Sequence, residues 1–329
     1  MQHYARYLML AAATMAGAAH AASASTSSKQ TYPEKPIRFV VAFAAGGSMD
    51  LLARLFAQKL SDSLGQQVVV DNRPGAGGNL SAEITARSAP DGYTIYICAP
   101  SLVVNAALYT KIAYDPERDF APVTLLASVQ NTLVAYPGFA AKSVKELIAL
   151  AKSKPGQINY ASTGSGSSGH LVMEMFRSQA GITLTHVPYK TIAQTTTDLI
   201  SGQVPLWFPT IPGALPHIKG ARMRALAVAG ARRSPALPDI PTVAEAATLP
   251  GFDATTWYAV LTPYGVSKAI TAKLNAEFLR ALRLPEMQER LTAQGVESIA
   301  STPEQLAAHI RSELPKWAQV VKAAGVRAD

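Results

Sequence analysis

The chain has 329 residues, 48% of them hydrophobic and 16% charged, with a formal net charge of +8 and a single cysteine. That mixture is ordinary for globular chains, supplies enough apolar material for two domains, and excludes a disordered or low-complexity protein. One thiol excludes an intrachain disulfide. The basic residues are scattered, with only Arg232-Arg233 adjacent in a Pro-rich stretch, so the stripe or patch that nucleic-acid binding needs is missing and no nucleic-acid partner is expected.

The first residues have the pattern of an export signal. Arg6 gives a positive start, residues 8–18 are apolar but too short to span a bilayer, and Ala19-His20-Ala21 offers an A-x-A cleavage site, with Ala22-Ser23-Ala24 as a second choice. Residues 1–21 are therefore expected to be removed and 22–31, small, polar and Ser-rich, to act as a spacer, placing the mature protein in the periplasm. Loss of Arg6 lowers the formal charge to +7, a mild positive field that fits solubility and the gathering of anions equally. No cysteine follows the signal, which excludes a lipid anchor there, and no later segment has the run of about eighteen apolar residues that a membrane helix needs.

Past the spacer, apolar strand-like runs alternate with helical patterns. Residues 37–43 (IRFVVAF) form a nearly continuous apolar strand, followed by Gly46-Gly47 and a helix over 50–64. A strand over 67–70, the loop 72–78, a helix over 80–87 and a strand over 93–98 continue the rhythm. Cys98 lies in that last run and fits a small buried side chain. A second series begins near Asn131: strands at 132–135, 158–161, 184–187 and 224–228, with helices at 144–152, 171–179 and 193–200 between them. After the Pro-rich stretch 234–241 come a strand over 255–261 and helices over 268–282, 285–294 and 303–324. This is the rhythm of βαβ units. It predicts an α/β protein of two domains, each a mainly parallel sheet flanked by helices, with 32–130 and 235–329 forming the first and 131–234 the second. Two crossings between domains make a hinge, and the cleft between them is the expected ligand site.

Two segments repeat one device: strand, Gly-rich turn, helix start. The first carries Phe43, Ala45, Gly46, Gly47, Ser48 and Asp50; the second carries Thr163, Gly164, Ser165, Gly166, Ser167, Ser168, Gly169 and His170. Glycine lets the backbone approach a ligand, and a helix start presents unpaired N–H groups and the positive end of the dipole, which suits a carboxylate or phosphate. Ser48 or Asp50, and Ser167 or Ser168, are candidates to cap the two helices. Each segment alone is better read as a capped βα turn; their recurrence, one per predicted domain, brings the anion-site reading level with it.

Gly164, Gly166 and Gly169 spell G-x-G-x-x-G. The acidic residue that a dinucleotide fold needs about 20 positions on is missing, since Thr185-His186-Val187-Pro188-Tyr189-Lys190 stands there. A P-loop would need Lys where His170 stands. There is no G-x-S-x-G elbow and no H-x-x-x-H or C-x-x-C spacing. Neither a cofactor nor a metal is expected, and His170 and His186 fit hydrogen-bonding residues better than catalytic bases. Among the aromatics Phe43, Tyr189, Trp207 and Trp257, core packing is the ordinary role; Phe43 and Trp257 adjoin loops expected near the cleft. Ser101, just beyond the strand over 93–98, completes the candidate set.

These residues resemble the Bug-type periplasmic solute receptors of tripartite tricarboxylate transporters, from Tyr32 to the C-terminus. The matching stretches are Tyr32-Pro33-x-Lys35-Pro36-Ile37, Gly46-Gly47-Ser48-x-Asp50, Asn72-Arg73-Pro74-Gly75-Ala76-Gly77-Gly78 and Pro90-Asp91-Gly92-Tyr93-Thr94. Further matches are Ser162-Thr163-Gly164-Ser165-Gly166 with His170, His186-Val187-Pro188-Tyr189-Lys190, Ala225-Leu226-Ala227-Val228, the run from Arg233 to Asp239, and Pro241-Thr242-Val243-Ala244-Glu245. The resemblance implies a two-domain periplasmic-binding-protein fold that closes on its ligand. It implies a ligand carboxylate held by the loop from Phe43 to Asp50, partly through ordered water, and by the loop from Thr163 to His170, and a membrane permease as partner.

Three departures bear on the ligand. Ala44-Ala45 stand where the family usually has two prolines, or one preceded by alanine. Thr191 stands where it usually has Gly, and its G-x-V-D-x-x-F-D appears as Gly202-Gln203-Val204-Pro205-Leu206-Trp207-Phe208-Pro209, with proline for both acids. The expected function is thus capture of a small carboxylate, an aromatic acid or dicarboxylate, by a monomeric receptor that is not an enzyme. A periplasmic sensor feeding a signalling partner is the alternative. A hydrolase on a similar scaffold is the third reading, and it lacks a triad or metal motif.

Overall fold

The computed structural model describes residues 32–324; the expected leader and spacer lie outside them. The chain divides between Glu34 and Lys35, and the description below concerns the unit Lys35–Asp329.

In chain order the elements are β1 (Ile37–Val41), α1 (Ser48–Leu64), β2 (Val68–Asn72), α2 (Asn79–Ala86), β3 (Thr94–Cys98), α3 (Ser101–Leu108) and β4 (Phe120–Val129). Then come β5 (Thr132–Ala135), α4 (Val144–Ser153), β6 (Asn159–Ser162), α5 (Ser168–Ala180), β7 (Thr185–Pro188), α6 (Ile192–Ile200), β8 (Leu206–Trp207), α7 (Ile211–Lys219), β9 (Arg224–Val228) and α8 (Val243–Ala247). β10 (Thr256–Pro263), α9 (Lys268–Leu282), α10 (Pro285–Ala293), β11 (Val296–Ser298) and α11 (Pro303–Ala324) complete the chain.

The strands form two sheets, ordered β11-β4-β10-β3-β1-β2 and β7-β6-β8-β5-β9. In the first, β10 and β11 run against the other strands; in the second, β5 does. β5 and β10 are the strands that follow the two crossings between sheets, so each enters its sheet from the far side and runs in reverse. The first crossing is short, Gln130 and Asn131 between β4 and β5. The second follows β9 and comes later than expected. Val243, Phe252 and Ala254 pack into the core of the five-stranded sheet, so the stretch from 235 to about 254 belongs beside that sheet and not with the first.

Burial explains why these segments become strands. Ile37, Phe39, Val40 and Val41 are fully buried, as a strand covered on both faces requires. Helices α1 and α9 lie on the first sheet, where Phe278 meets Phe39 and Phe56 with ring centroids 5.9 and 5.4 Å apart. The second core centres on Tyr160, Phe176 and Phe208. Helix ends follow local chemistry: Gly65 closes α1 in the left-handed conformation, Ser143 caps α4, and Thr242 with Glu245 forms a capping box on α8.

Helix α11 is fixed at Glu313, which is nearly buried. Its carboxylate accepts from the indole N–H groups of Trp257 (2.9 Å) and Trp317 (2.8 Å) and from the Lys316 ammonium (2.8 Å). Burial alone would raise its pKa; these donors outweigh burial and hold it below the usual range.

Several elements were not legible beforehand: α3, β4, β8, α7, α8 and β11. Pro122 breaks the strand pattern of β4; it sits opposite Leu261 beside a register shift, a place where a sheet tolerates proline. The expected starts of α1 at 50 and α5 at 171 are two and three residues late, because each helix begins at once after its Gly-rich turn.

Candidate functional site

The two helix starts face one cleft. At the first, β1 runs out through Phe43 to Gly46, whose φ of +86° suits glycine, and Gly47 is the N-cap in extended conformation with no side-chain cap. Asp50 does not cap α1. Its Oδ2 accepts from the Gly46 N–H (2.9 Å) and from Arg54 Nε (3.1 Å), and its Oδ1 lies 3.0 Å from another Arg54 nitrogen. Burial would raise this carboxyl's pKa; the bonds from Arg54, Gly46 and Asn72 outweigh burial and lower it. Asp50 is thus a charged brace that shapes the loop from behind. Asn72 Nδ2 holds the other side, donating to the Phe43 carbonyl at 3.0 Å. Ser48 is no cap either: its Oγ is 2.6 Å from Tyr258 OH and accepts from Thr210 Oγ1 at 2.9 Å. That chain of hydroxyls joins an element of the first sheet to the segment after β8.

At the second start, Gly164 and Gly166 have φ of +111° and +79°. Ser167 is the N-cap of α5 without a side-chain cap bond. Its Oγ is buried, with the residue 2% exposed, and has no hydrogen-bond partner among the described residues. Buried hydroxyls are nearly always paired, so an orphan at a helix start beside a cavity points to a missing acceptor or donor. The following N–H groups, of Ser168, Gly169 and His170, lie in the first helical turn, where no intrahelical carbonyl stands four residues back.

Beneath this loop lies an aromatic stack. His170 and His186 are 4.3 Å apart, and Tyr160 lies 5.0 Å from His186 and 6.5 Å from His170, so the three rings cluster together. His170 Nδ1 accepts from the Gly166 N–H (3.2 Å), His186 Nε2 is 2.6 Å from Ser162 Oγ, and Tyr160 OH donates to Glu174, which Arg177 also holds. Burial lowers the pKa of both histidines, that of His186 to about 4. Both are therefore neutral at pH 7, and the stack positions the loop.

A pH dependence follows. The unfolded chain binds a proton at His186 near pH 6.5, whereas the folded chain does not until about pH 4. Stability is therefore full above about pH 6.5 and falls as pH drops toward 4. Urea unfolding at pH 7.0, 5.5 and 4.5 checks this. His186→Gln should unfold with a shallower pH dependence than the parent; parallel curves would contradict the assignment.

Between the helix starts lies an inner cavity of about 610 Å³, open solvent included, lined by Gly47, Ser48, Ser167, Ser168, Gly169, Thr210 and Tyr258 on its polar side and by Phe43, Met49, Ile192, Trp207, Phe208 and Pro209 on its apolar side. Burial pushes the Tyr258 hydroxyl up to about 12, so it stays a donor. No charged side chain lines this cavity. A second cavity of about 1150 Å³, again with open solvent and called the outer one, adjoins it between the loop from Pro74 to Gly78 and the segment from Pro188 to Ile192.

Of the candidates from sequence, Phe43, Gly47, Ser48, Thr163 and Ser167 line the inner cavity, while Gly164 and Tyr189 line the outer one. Ala45 and Gly46 are exposed at the loop's tip and line neither; Ala44 lines both. Ser165 and Gly166 form the contact with the opposite half: a Cβ on Gly77 would stand 2.6 Å from the Ser165 carbonyl, and one on Gly166 2.8 Å from Asn105 Oδ1. Ser101 lies buried behind Gly78. Trp257 is not at the cavity. It points to α11 and Glu313, and its neighbour Tyr258 faces the cavity, because successive residues of β10 point to opposite faces. Thr210, Met49 and Trp207 also line the cavity. Period-two alternation counted back from the strand end could have found Tyr258; the orphaned Ser167 hydroxyl has no signature in sequence.

Two sheets joined by two chain crossings, with helix starts converging on a cleft, define a solute-binding protein of the periplasmic type. The chain belongs to the tripartite tricarboxylate transporter family receptors, whose family model matches residues 52–326. Among solved structures, Rpa4515 of R. palustris with adipate is 36% identical, with a TM-score of 0.86 over 90% of this chain and 99% of that one. The periplasmic binding protein BugD is 34% identical, with a TM-score of 0.86 over 91% and 100%. MatC from Rhodopseudomonas palustris with bound malate is 33% identical, with a TM-score of 0.84 over 88% and 100%. The family and these neighbours are binding proteins, not enzymes.

Proposed function

We propose that the chain is exported, loses its leader near Ala21, and acts in the periplasm as a monomer that captures a small carboxylate and delivers it to the membrane permease of a tripartite tricarboxylate-type transporter. The halves built on the two sheets, 35–129 with 256–324 and 132–254, serve as domains that close over the ligand about the two crossings. The observation that carries this reading is the buried, unpartnered Ser167 Oγ at the start of α5, opposite the start of α1. A carboxylate there accepts from that hydroxyl and from first-turn N–H groups, in the positive field of two helix ends. The adipate and malate held by the two relatives support a carboxylate as the ligand.

The rest of the inner wall favours an aromatic acid or a plain dicarboxylate over an amino acid. Pro209, in place of a family acid, lines the cavity; Pro205 does not. Asp50 is committed to Arg54 and Glu174 to Arg177, so a ligand ammonium finds no counter-charge. Burying it unpaired costs several kcal/mol.

A thermal-shift panel of mono- and dicarboxylates, aromatic acids and amino acids tests both parts. At a hundred times its dissociation constant, a ligand of the folded state adds ~2.7 kcal/mol, and the acids lacking an amine should give the shifts. Stabilisation by glutamate or aspartate alone would refute the exclusion of amines, and no shift from any acid would refute the carboxylate reading.

A further inference from the structure

The inner and outer cavities share four wall residues, Phe43, Ala44, Thr163 and Ile192, and these form the partition between them. Three belong to the turns after β1 and β6. Ile192 differs: it is the first residue of α6 and reaches across from a separate element. The unusual Thr191 sets this up. Its φ of −136° needs no glycine, and its hydroxyl accepts from the Gln194 N–H at 3.2 Å, so it caps α6 and fixes the helix start at Ile192. The tip of Ile192 then rests against the first helix start on the other side of the cleft: a Cβ on Gly47 would stand 2.8 Å from Ile192 Cδ1.

We propose that Ile192 is the length gauge of the site, the residue that sets how long a carboxylate the closed protein accepts. This rests on the carboxylate reading of the cleft. With the carboxylate at the helix starts, the carbon chain runs through the apolar inner cavity toward Ile192. A chain that ends short of the Cδ1 atom leaves Ile192 seated against Gly47. A longer chain must lift Ile192 from that seat and enter the outer cavity, which costs the contact across the cleft and exposes apolar chain to water. Shortening the Ile192 side chain enlarges the inner cavity, frees the space beside Gly47 and leaves the Ser167 hydroxyl and the first-turn N–H groups of α5 in place.

The test is calorimetric titration with the straight-chain monocarboxylates from propanoate to decanoate, on the parent, Ile192→Ala and Ile192→Phe, with the unliganded melting temperature of each variant measured alongside. In the parent, affinity should rise about fourfold per added methylene and then break at one chain length. Ile192→Ala should move the break about two carbons longer and raise the affinity ratio of the acid just beyond the parent's break to the shortest binding acid about tenfold. Ile192→Phe should move the break shorter. A break at the same length in all three proteins, or none in the parent, overturns the gauge while leaving the carboxylate reading in place. Failure of every acid in this series to bind the parent overturns the gauge; the carboxylate reading falls only if the aromatic acids and dicarboxylates of the thermal-shift panel fail as well.

Discussion

Gly77→Ala is expected to yield a folded protein that binds carboxylates at least about 100-fold more weakly than the parent. Gly77 has φ +62° and lies in the loop that meets the second half of the molecule, where an added Cβ would stand 2.6 Å from the Ser165 carbonyl. That is a Cβ fixed to the backbone against a backbone carbonyl, so no side-chain rotation relieves it. The left-handed conformation costs alanine about 1–2 kcal/mol in any state, whereas the clash exists only when the two loops touch. The closed arrangement is therefore penalised selectively. A factor of 100 in affinity corresponds to about 2.7 kcal/mol, a modest demand for a contact that must move by several tenths of an ångström in a close-packed place. Gly65→Ala is the control. Its φ is +68° and its Cβ would meet nothing within 4 Å, so it should lose stability and keep its affinity. Calorimetric titration of both variants with the acid that most stabilises the parent decides the matter. Normal binding by Gly77→Ala would mean that closure does not bring these loops together.

Ser167→Ala should move stability and binding in opposite directions. Its Oγ is buried with no partner among the described residues, so deleting it removes a desolvated polar atom and the melting temperature should stay level or rise. A hydrogen bond to a charged ligand is worth about 1.5–3 kcal/mol, so affinity for the carboxylate should fall about 10- to 150-fold. A purely structural serine gives the opposite pattern, lower stability with unchanged affinity, and thermal melts with and without ligand separate the two.

How much of this was legible beforehand depended on whether the physics was local. The strand of residues 37–41, buried on both faces, announces itself through continuous apolar side chains, and the two Gly-rich helix starts through glycines whose positive φ the turn requires. The site's polar groups follow from chain-distant contacts instead. Tyr258 reaches Ser48 across 210 positions, and Thr210 reaches it across 162; no local pattern encodes either. Trp257 has the size and chain position of a cavity aromatic, but the one-residue alternation of β10 sends it to Glu313 and gives the cavity its neighbour. Asp50 stands where the sequence suggests but in another role: a buried acid at a helix start suits a cap, and only the nearby Gly46 N–H and the Arg54 side chain show that it shapes the turn instead. The second crossing was placed early because Pro-rich residues 234–241 look like a linker, whereas Val243, Phe252 and Ala254 beyond them are core.

The most direct test of a carboxylate clamped between two helix starts is a crystal structure of residues 22–329 with the acid from the thermal-shift panel that gives the largest stabilisation. The account predicts one carboxylate oxygen about 2.7 Å from Ser167 Oγ, as a charge-assisted hydroxyl bond requires, with the carboxylate capped by the first-turn N–H groups of α5 and facing the start of α1, directly or through one water. A ligand bound in the outer cavity alone, or with its carboxylate turned away from Ser167, would contradict it.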